Sequence, residues 1–160
     1  MSTRENILKI LYIGGSMYGY EVYKIYKEVY GEVLLRTIYY HLKACEKRGE
    51  LKAKKIVGVL GGFTWGYETD RIYYELKEGV EEKLKMNIEE IKAIKNAVNK
   101  HKKDLREELR KWVKKLKEEI KSGEDPLRLR RKCEKLKAFY LLKFGKYPKV
   151  IDNWLSSLPP

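Results

Sequence analysis

From Val80 to Ser122 the chain contains neither glycine nor proline, and apolar residues recur there at short helical intervals. They are Val80, Leu84, Ile88, Ile91, Ile94 and Val98, then, after a polar step around His101, Leu105, Leu109, Trp112, Val113, Leu116 and Ile120. Spacings of three and four bring side chains to one side only in an α-helix. The pattern predicts a single amphipathic helix of more than forty residues. So narrow a stripe is not stable alone in water and must be covered by helices of the same chain or of a second copy. In a chain of 160 residues this leaves room for one compact head beside it.

Upstream, Ser2 or Thr3 can cap a first helix carrying Ile7, Leu8, Ile10, Leu11 and Ile13 and stopping at Gly14-Gly15. A second helix is expected over about Tyr18 to Tyr30, with Val22, Ile25, Tyr26 and Val29 on one face. A third, about Leu35 to Arg48, points Ile38, Leu42 and Cys45 inward and stops at Gly49. Leu51–Val59 and Arg71–Leu76 read as strands, joined by the glycine-rich Gly58–Gly66. Three helices followed by a hairpin is the order of a winged helix-turn-helix. The expected fold is therefore mainly α with a small β-hairpin wing, a head over residues 1–76 and a helical dimerisation part over 77–160. In the latter, Asp125 and Pro126 restart the chain as a helix after Ser122-Gly123. That helix carries Leu129, Cys133, Leu136, Phe139 and Tyr140 and folds back on the long one or on its dimer mate. Pro148 opens a last short helix.

Lys plus Arg number 36 against 23 Asp plus Glu, a net charge of +13. An excess of this size points to a polyanionic partner, double-stranded DNA first. Residues 1–85 carry 15 basic and 12 acidic side chains and residues 86–160 carry 21 and 11, so the surplus is +3 in the head and +10 in the tail. The tail thus offers Arg128, Arg130, Arg131 and Lys132, or Lys114, Lys115 and Lys117, as contacts for nucleic acid or an acidic protein partner; a solvated helix face is the plainer reading. Cys45 and Cys133 lack the neighbours a metal site requires and read as buried thiols. His41 and His101 read as surface residues. No nucleophile motif, metal spacing or phosphate loop is present, so neither an enzyme nor a cofactor is expected. With no apolar run long enough for a signal peptide or a span, a cytoplasmic protein is expected, with no membrane partner.

Three stretches resemble the PadR family of transcription regulators. Met17-Tyr18-Gly19-Tyr20-Glu21-Val22 is similar to the His-Gly-Tyr-Glu-Ile that opens that family's second helix. Thr37-Ile38-Tyr39-Tyr40-His41-Leu42, ending in Glu46-Lys47-Arg48-Gly49, is similar to its Ser-Leu-Tyr-Pro-Ala-Leu and Leu-Glu-x-x-Gly. Arg71-Ile72-Tyr73-Tyr74-Glu75-Leu76 matches the strand before the long helix. Leu35-Arg36 and Tyr40 replace prolines and a glycine of the family pattern. The resemblance implies a DNA-binding homodimer joined through its C-terminal helices, and in some members a small aromatic effector at the dimer interface.

With Ile38, Leu42 and Cys45 inward, the third helix presents Arg36, Thr37, Tyr40, Lys43 and Lys47 to the major groove. Arg36 suits guanine or a phosphate; Thr37 and Tyr39 suit phosphate oxygens; Tyr40 suits a thymine methyl. Tyr39 and Tyr40 serve equally well as filler between helices. Lys54, Lys55 and Arg71 flank the hairpin as backbone contacts. At its tip Trp65 could enter the minor groove, stack on another subunit or cover the core. The expected dimer seam is Leu84, Ile88, Ile91, Val98, Leu105, Leu109, Trp112 and Leu116, with Trp112 also placed to line an effector pocket. Two other uses of such a head stay open: partition, replication or DNA architecture, and a protein-interaction module without DNA binding.

Overall fold

Element boundaries fall where caps and glycines stand. The computed structural model describes residues 2–60 and 68–160, with side chains outside the range 56–70. In order come α1 Thr3–Gly14, β1 Met17–Tyr18, α2 Gly19–Tyr30, α3 Leu35–Lys47, β2 Leu51–Leu60, β3 Glu68–Leu76, α4 Ile88–Lys121, α5 Pro126–Phe144 and α6 Val150–Ser157. The protein is mainly helical with a small antiparallel sheet in the order β1-β3-β2. The Ser2 hydroxyl accepts from Glu5 N–H at 3.0 Å to start α1, and Asp125 accepts from Leu127 N–H at 3.2 Å to start α5. The two-residue β1, which the sequence pattern does not predict, pairs Met17 with Tyr74 and Tyr18 with Tyr73 on β3. The aromatic tip Phe63, Trp65 and Tyr67 lies outside the described residues.

The long helix is shorter than its pattern suggests. A 3-10 turn at Val80–Lys83 gives way to extended backbone at Leu84, and α4 begins only at Ile88. The reason is local: Asn87 Oδ1 accepts from Glu90 N–H at 2.7 Å, a side-chain cap that starts a new helix. Meanwhile Val80, Leu84 and Met86 pack against the head core.

The chain divides into two compact units. One holds the chain up to Ile56 and Arg71–Lys103; the other holds Asp104–Pro160 with the described part of Val57–Asp70. Leu76 ends β3, and the first unit runs on through the first half of α4. Its core joins Ile7 and Ile10 of α1, Val22 and Ile25 of α2, Ile38, Leu42 and Cys45 of α3, and Ile94, Ala97 and Val98 of α4. Burying each such large side chain contributes about 1.5–3 kcal/mol. Polar contacts add direction. Glu90 of α4 accepts from Lys9 Nζ at 3.1 Å and from the Tyr30 hydroxyl at 2.8 Å, while His101 Nε2 lies 2.8 Å from the buried carboxylate of Glu21. His101 is thus not the surface residue its sequence context implies: the polar step in α4 is where the helix meets α2.

In the second unit α4 and α5 run antiparallel, since Glu119 meets Lys132 at 2.7 Å and Arg106 lies over the Phe144 ring at 4.7 Å. Leu109, Trp112 and Leu116 are buried here, as are Leu129, Cys133, Leu136, Phe139 and Tyr140. Burial, with a smaller push from a nearby carboxylate, raises each cysteine thiol to about 11. At pH 8 the native thiols should therefore react with a disulfide reagent on the order of a hundredfold more slowly than in urea-unfolded protein. Equal rates would mean that both cores open freely.

Candidate nucleic-acid interface

Helix α3 divides cleanly by face. Ile38, Leu42 and Cys45 are fully buried, and Arg36, Tyr40, Lys43 and Lys47, spaced four, three and four apart, form an exposed row on the other side. Among the described residues none of these three cations is engaged by a carboxylate. Tyr40 is 69% exposed, with the His41 ring edge-on to it at 5.3 Å. Thr37 is half-buried at the shoulder of the row. The helix starts at Leu34, whose side chain cannot cap, and its first turn holds no acidic residue. The Thr37 N–H turns back to the Leu34 carbonyl at 3.0 Å, while the positive end of the helix dipole is left without an acidic side chain in the first turn.

Tyr39 has a different place. A Cβ built on Gly19 would come within 2.1 Å of its ring, so Tyr39 packs directly against the start of α2. Partial burial raises its hydroxyl pKa, opposed by the charge of Arg71. Its ring therefore sets the spacing of α2 and α3 while its edge remains in solvent.

Arg71 is anchored rather than free. Its guanidinium stands 4.2 Å from the Tyr18 ring centroid, and burial pushes the Tyr18 hydroxyl up to about 12 against the pull of that charge. The guanidinium also hydrogen-bonds the Tyr73 hydroxyl, which leaves its remaining N–H groups for a phosphate. Lys54 and Lys55 are both exposed on β2. As neighbours in a strand they point to opposite faces, so only one of them can share a surface with Arg71.

The eight expected seam residues are dispersed. Val98 belongs to the first core and Leu84 packs against it. Leu109, Trp112 and Leu116 are buried in the second unit, Ile91 and Leu105 are half-buried, and Ile88 is 72% exposed. A cavity of about 440 Å³ in this unit is walled by Arg106, Arg110, Tyr140 and Phe144 and by Lys146–Pro148, and Trp112 is not part of its wall. The basic cluster at the start of α5 is likewise split. Lys132 is buried on Glu119, Arg130 donates to the carbonyls of Leu155 and Leu158 at 2.9 and 3.3 Å, and Arg128 and Arg131 stay exposed.

Among the described residues no group of His, Cys, Asp and Glu could hold a metal ion, and no helix is long and apolar enough to cross a membrane. Compared with known proteins, the chain matches no family model, no curated protein and no solved structure.

Proposed function

We propose that the protein is a winged-helix, PadR-like, cytoplasmic regulator of transcription that binds specific double-stranded DNA as a homodimer. The observation that carries this reading is the α3 row of Arg36, Tyr40, Lys43 and Lys47. It combines three cations free of carboxylates with an exposed aromatic ring, on a helix whose opposite face is locked in the core. A surface that holds uncompensated charge on a rigid element is suited to reading a groove. Arg36 stands at the uncapped end, where base edges and phosphates are met first. Arg71, held on Tyr18, supplies a positioned backbone contact.

A homodimer belongs to this reading. Because Leu109, Trp112 and Leu116 fill the chain's own core, the dimer contact falls to apolar side chains left open, such as Ile88 or Leu127 and Leu141. A small aromatic effector would occupy the cavity beside Arg106 and Phe144 rather than a site at Trp112.

The test is a titration against the duplex upstream of the protein's own coding sequence and a scrambled duplex, at two salt concentrations. Wild type should prefer the upstream duplex, and the preference should persist at the higher salt. Arg36→Ala should lose roughly tenfold in affinity and much of the discrimination, as expected for one bidentate base contact. Equal, salt-sensitive binding to both duplexes favours the second reading, a partition, replication or architectural protein, for which the +10 charge of residues 86–160 speaks. Absence of binding eliminates both.

A further inference from the structure

We propose, building on the DNA-binding reading above, that the second half of α4 carries a separate contact for a nucleic-acid phosphate backbone, formed by Arg106, Arg110, Lys114, Lys117 and Lys121. At 3.6 residues per turn these five positions fall within an arc of about 80° on one side of the helix. All five side chains are exposed, and among the described residues none forms a salt bridge. Arg106 stands 4.7 Å from the Phe144 ring, which fixes the guanidinium without neutralising it, and Arg110 shares a cavity wall with Tyr140.

A solvated helix of ordinary composition alternates signs at i and i+4, because like charges at that spacing weaken it. This face places like charges at that spacing three times, at Arg106 and Arg110, Arg110 and Lys114, and Lys117 and Lys121. Glu107 and Glu118 border the row without forming an ion pair with it, Asp104, Glu108 and Glu119 lie on another face of the helix, and Glu119 is committed to Lys132. The basic residues that open α5 do not form a comparable row, since Lys132 and Arg130 are occupied within the fold.

The geometry selects the partner. With a rise of 1.5 Å per residue the row extends about 22 Å, the length over which one strand of a B-form duplex presents about six phosphates. A membrane surface would call for apolar side chains beside the cations to enter the headgroup layer. Here Leu109, Trp112 and Leu116 are buried instead. The regular spacing of charge, about one per turn, suits a linear polyanion. The row also accounts for a surplus that sits mostly outside the head.

The experiment is a salt titration of duplex affinity with the full chain, wild type against a variant carrying Arg110→Gln, Lys114→Gln, Lys117→Gln and Lys121→Gln. Arg106 is retained because it packs on Phe144. A control carries Lys77→Gln, Lys83→Gln, Lys85→Gln and Lys95→Gln, an equal change in net charge at exposed positions of the first unit. With about 0.9 counterions released per phosphate contact, the slope of log K against log salt should fall by about three to four in the row variant. It should fall by less than about one in the control. Unchanged slope in the row variant, or an equal fall in both, overturns the contact while leaving the α3 reading in place, provided Arg36→Ala still weakens binding. If wild type binds no duplex at low salt, the DNA reading fails and the row contact with it. If the row variant loses binding to an acidic protein but not to duplex, the partner is of another class and the proposal is wrong.

Discussion

Glu90→Ala lowers the unfolding free energy by about 3–5 kcal/mol, several times the cost of removing a surface ion pair. The carboxylate holds Lys9 of α1 at 3.1 Å and the Tyr30 hydroxyl of α2 at 2.8 Å, and the side chains of Lys9 and Glu90 are only 6% and 11% exposed. Deleting it strands an ammonium group in the core of the first unit, which is the costly half of the interaction. Replacing both partners by apolar groups of similar size removes that penalty. Lys9→Met with Glu90→Leu should recover most of the loss. Equilibrium denaturation in urea of the two single variants and the pair measures this as a coupling energy. A cost below about 1 kcal/mol for Glu90→Ala would mean that the pair is solvated and does not fasten α4 to the head.

That fastening also explains which parts of the molecule could be read from the sequence. Features written in neighbouring residues were legible. Ser2 before α1, Asp125-Pro126 before α5 and glycines after α1, α2 and α3 mark ends that the structure reproduces, and the inward positions Ile38, Leu42 and Cys45 follow from helical spacing. Features decided between distant segments were not. Asn87 with Glu90 three residues later is a capping signal, but it lies inside an apolar period strong enough to mask it, so two elements read as one helix. His101 looks like any polar residue on a solvated face until α2 brings Glu21 to within 2.8 Å of it. Of the apolar stripe, Ile94, Val98, Leu109, Trp112 and Leu116 are buried, whereas Val80 and Leu84 precede α4 and Ile88 is 72% exposed. Whether its cover comes from the same chain or another cannot be encoded in spacing, and in the structure Val98 and Leu116 are buried in different units of a single chain. The α3 row was legible because one helix contains it whole; the role of Gly19 was not, because it depends on Tyr39 from the next helix.

That last pair yields a prediction whose sign depends on the background. In otherwise native protein Gly19→Ala should destabilise by about 2 kcal/mol, because the new methyl group would overlap the Tyr39 ring, 2.1 Å away, and the ring must leave its seat. Gly19 opens α2 and does not have positive φ, so nothing in the backbone itself disfavours alanine there. Removing the ring by Tyr39→Ala should therefore reverse the effect. In that background Gly19→Ala should stabilise by about 0.5–1 kcal/mol through helix propensity, giving a coupling of about 2–3 kcal/mol in a double-mutant cycle. A Gly19→Ala cost that persists unchanged without Tyr39 would show that some other neighbour imposes glycine. The duplex titration separates fold from function at the same position. A displaced Tyr39 shifts α3 against α2 and should weaken specific binding by more than the loss of its hydroxyl in Tyr39→Phe. If Tyr39→Phe matches Gly19→Ala in the loss, the hydroxyl reaches phosphate and the ring is more than a spacer.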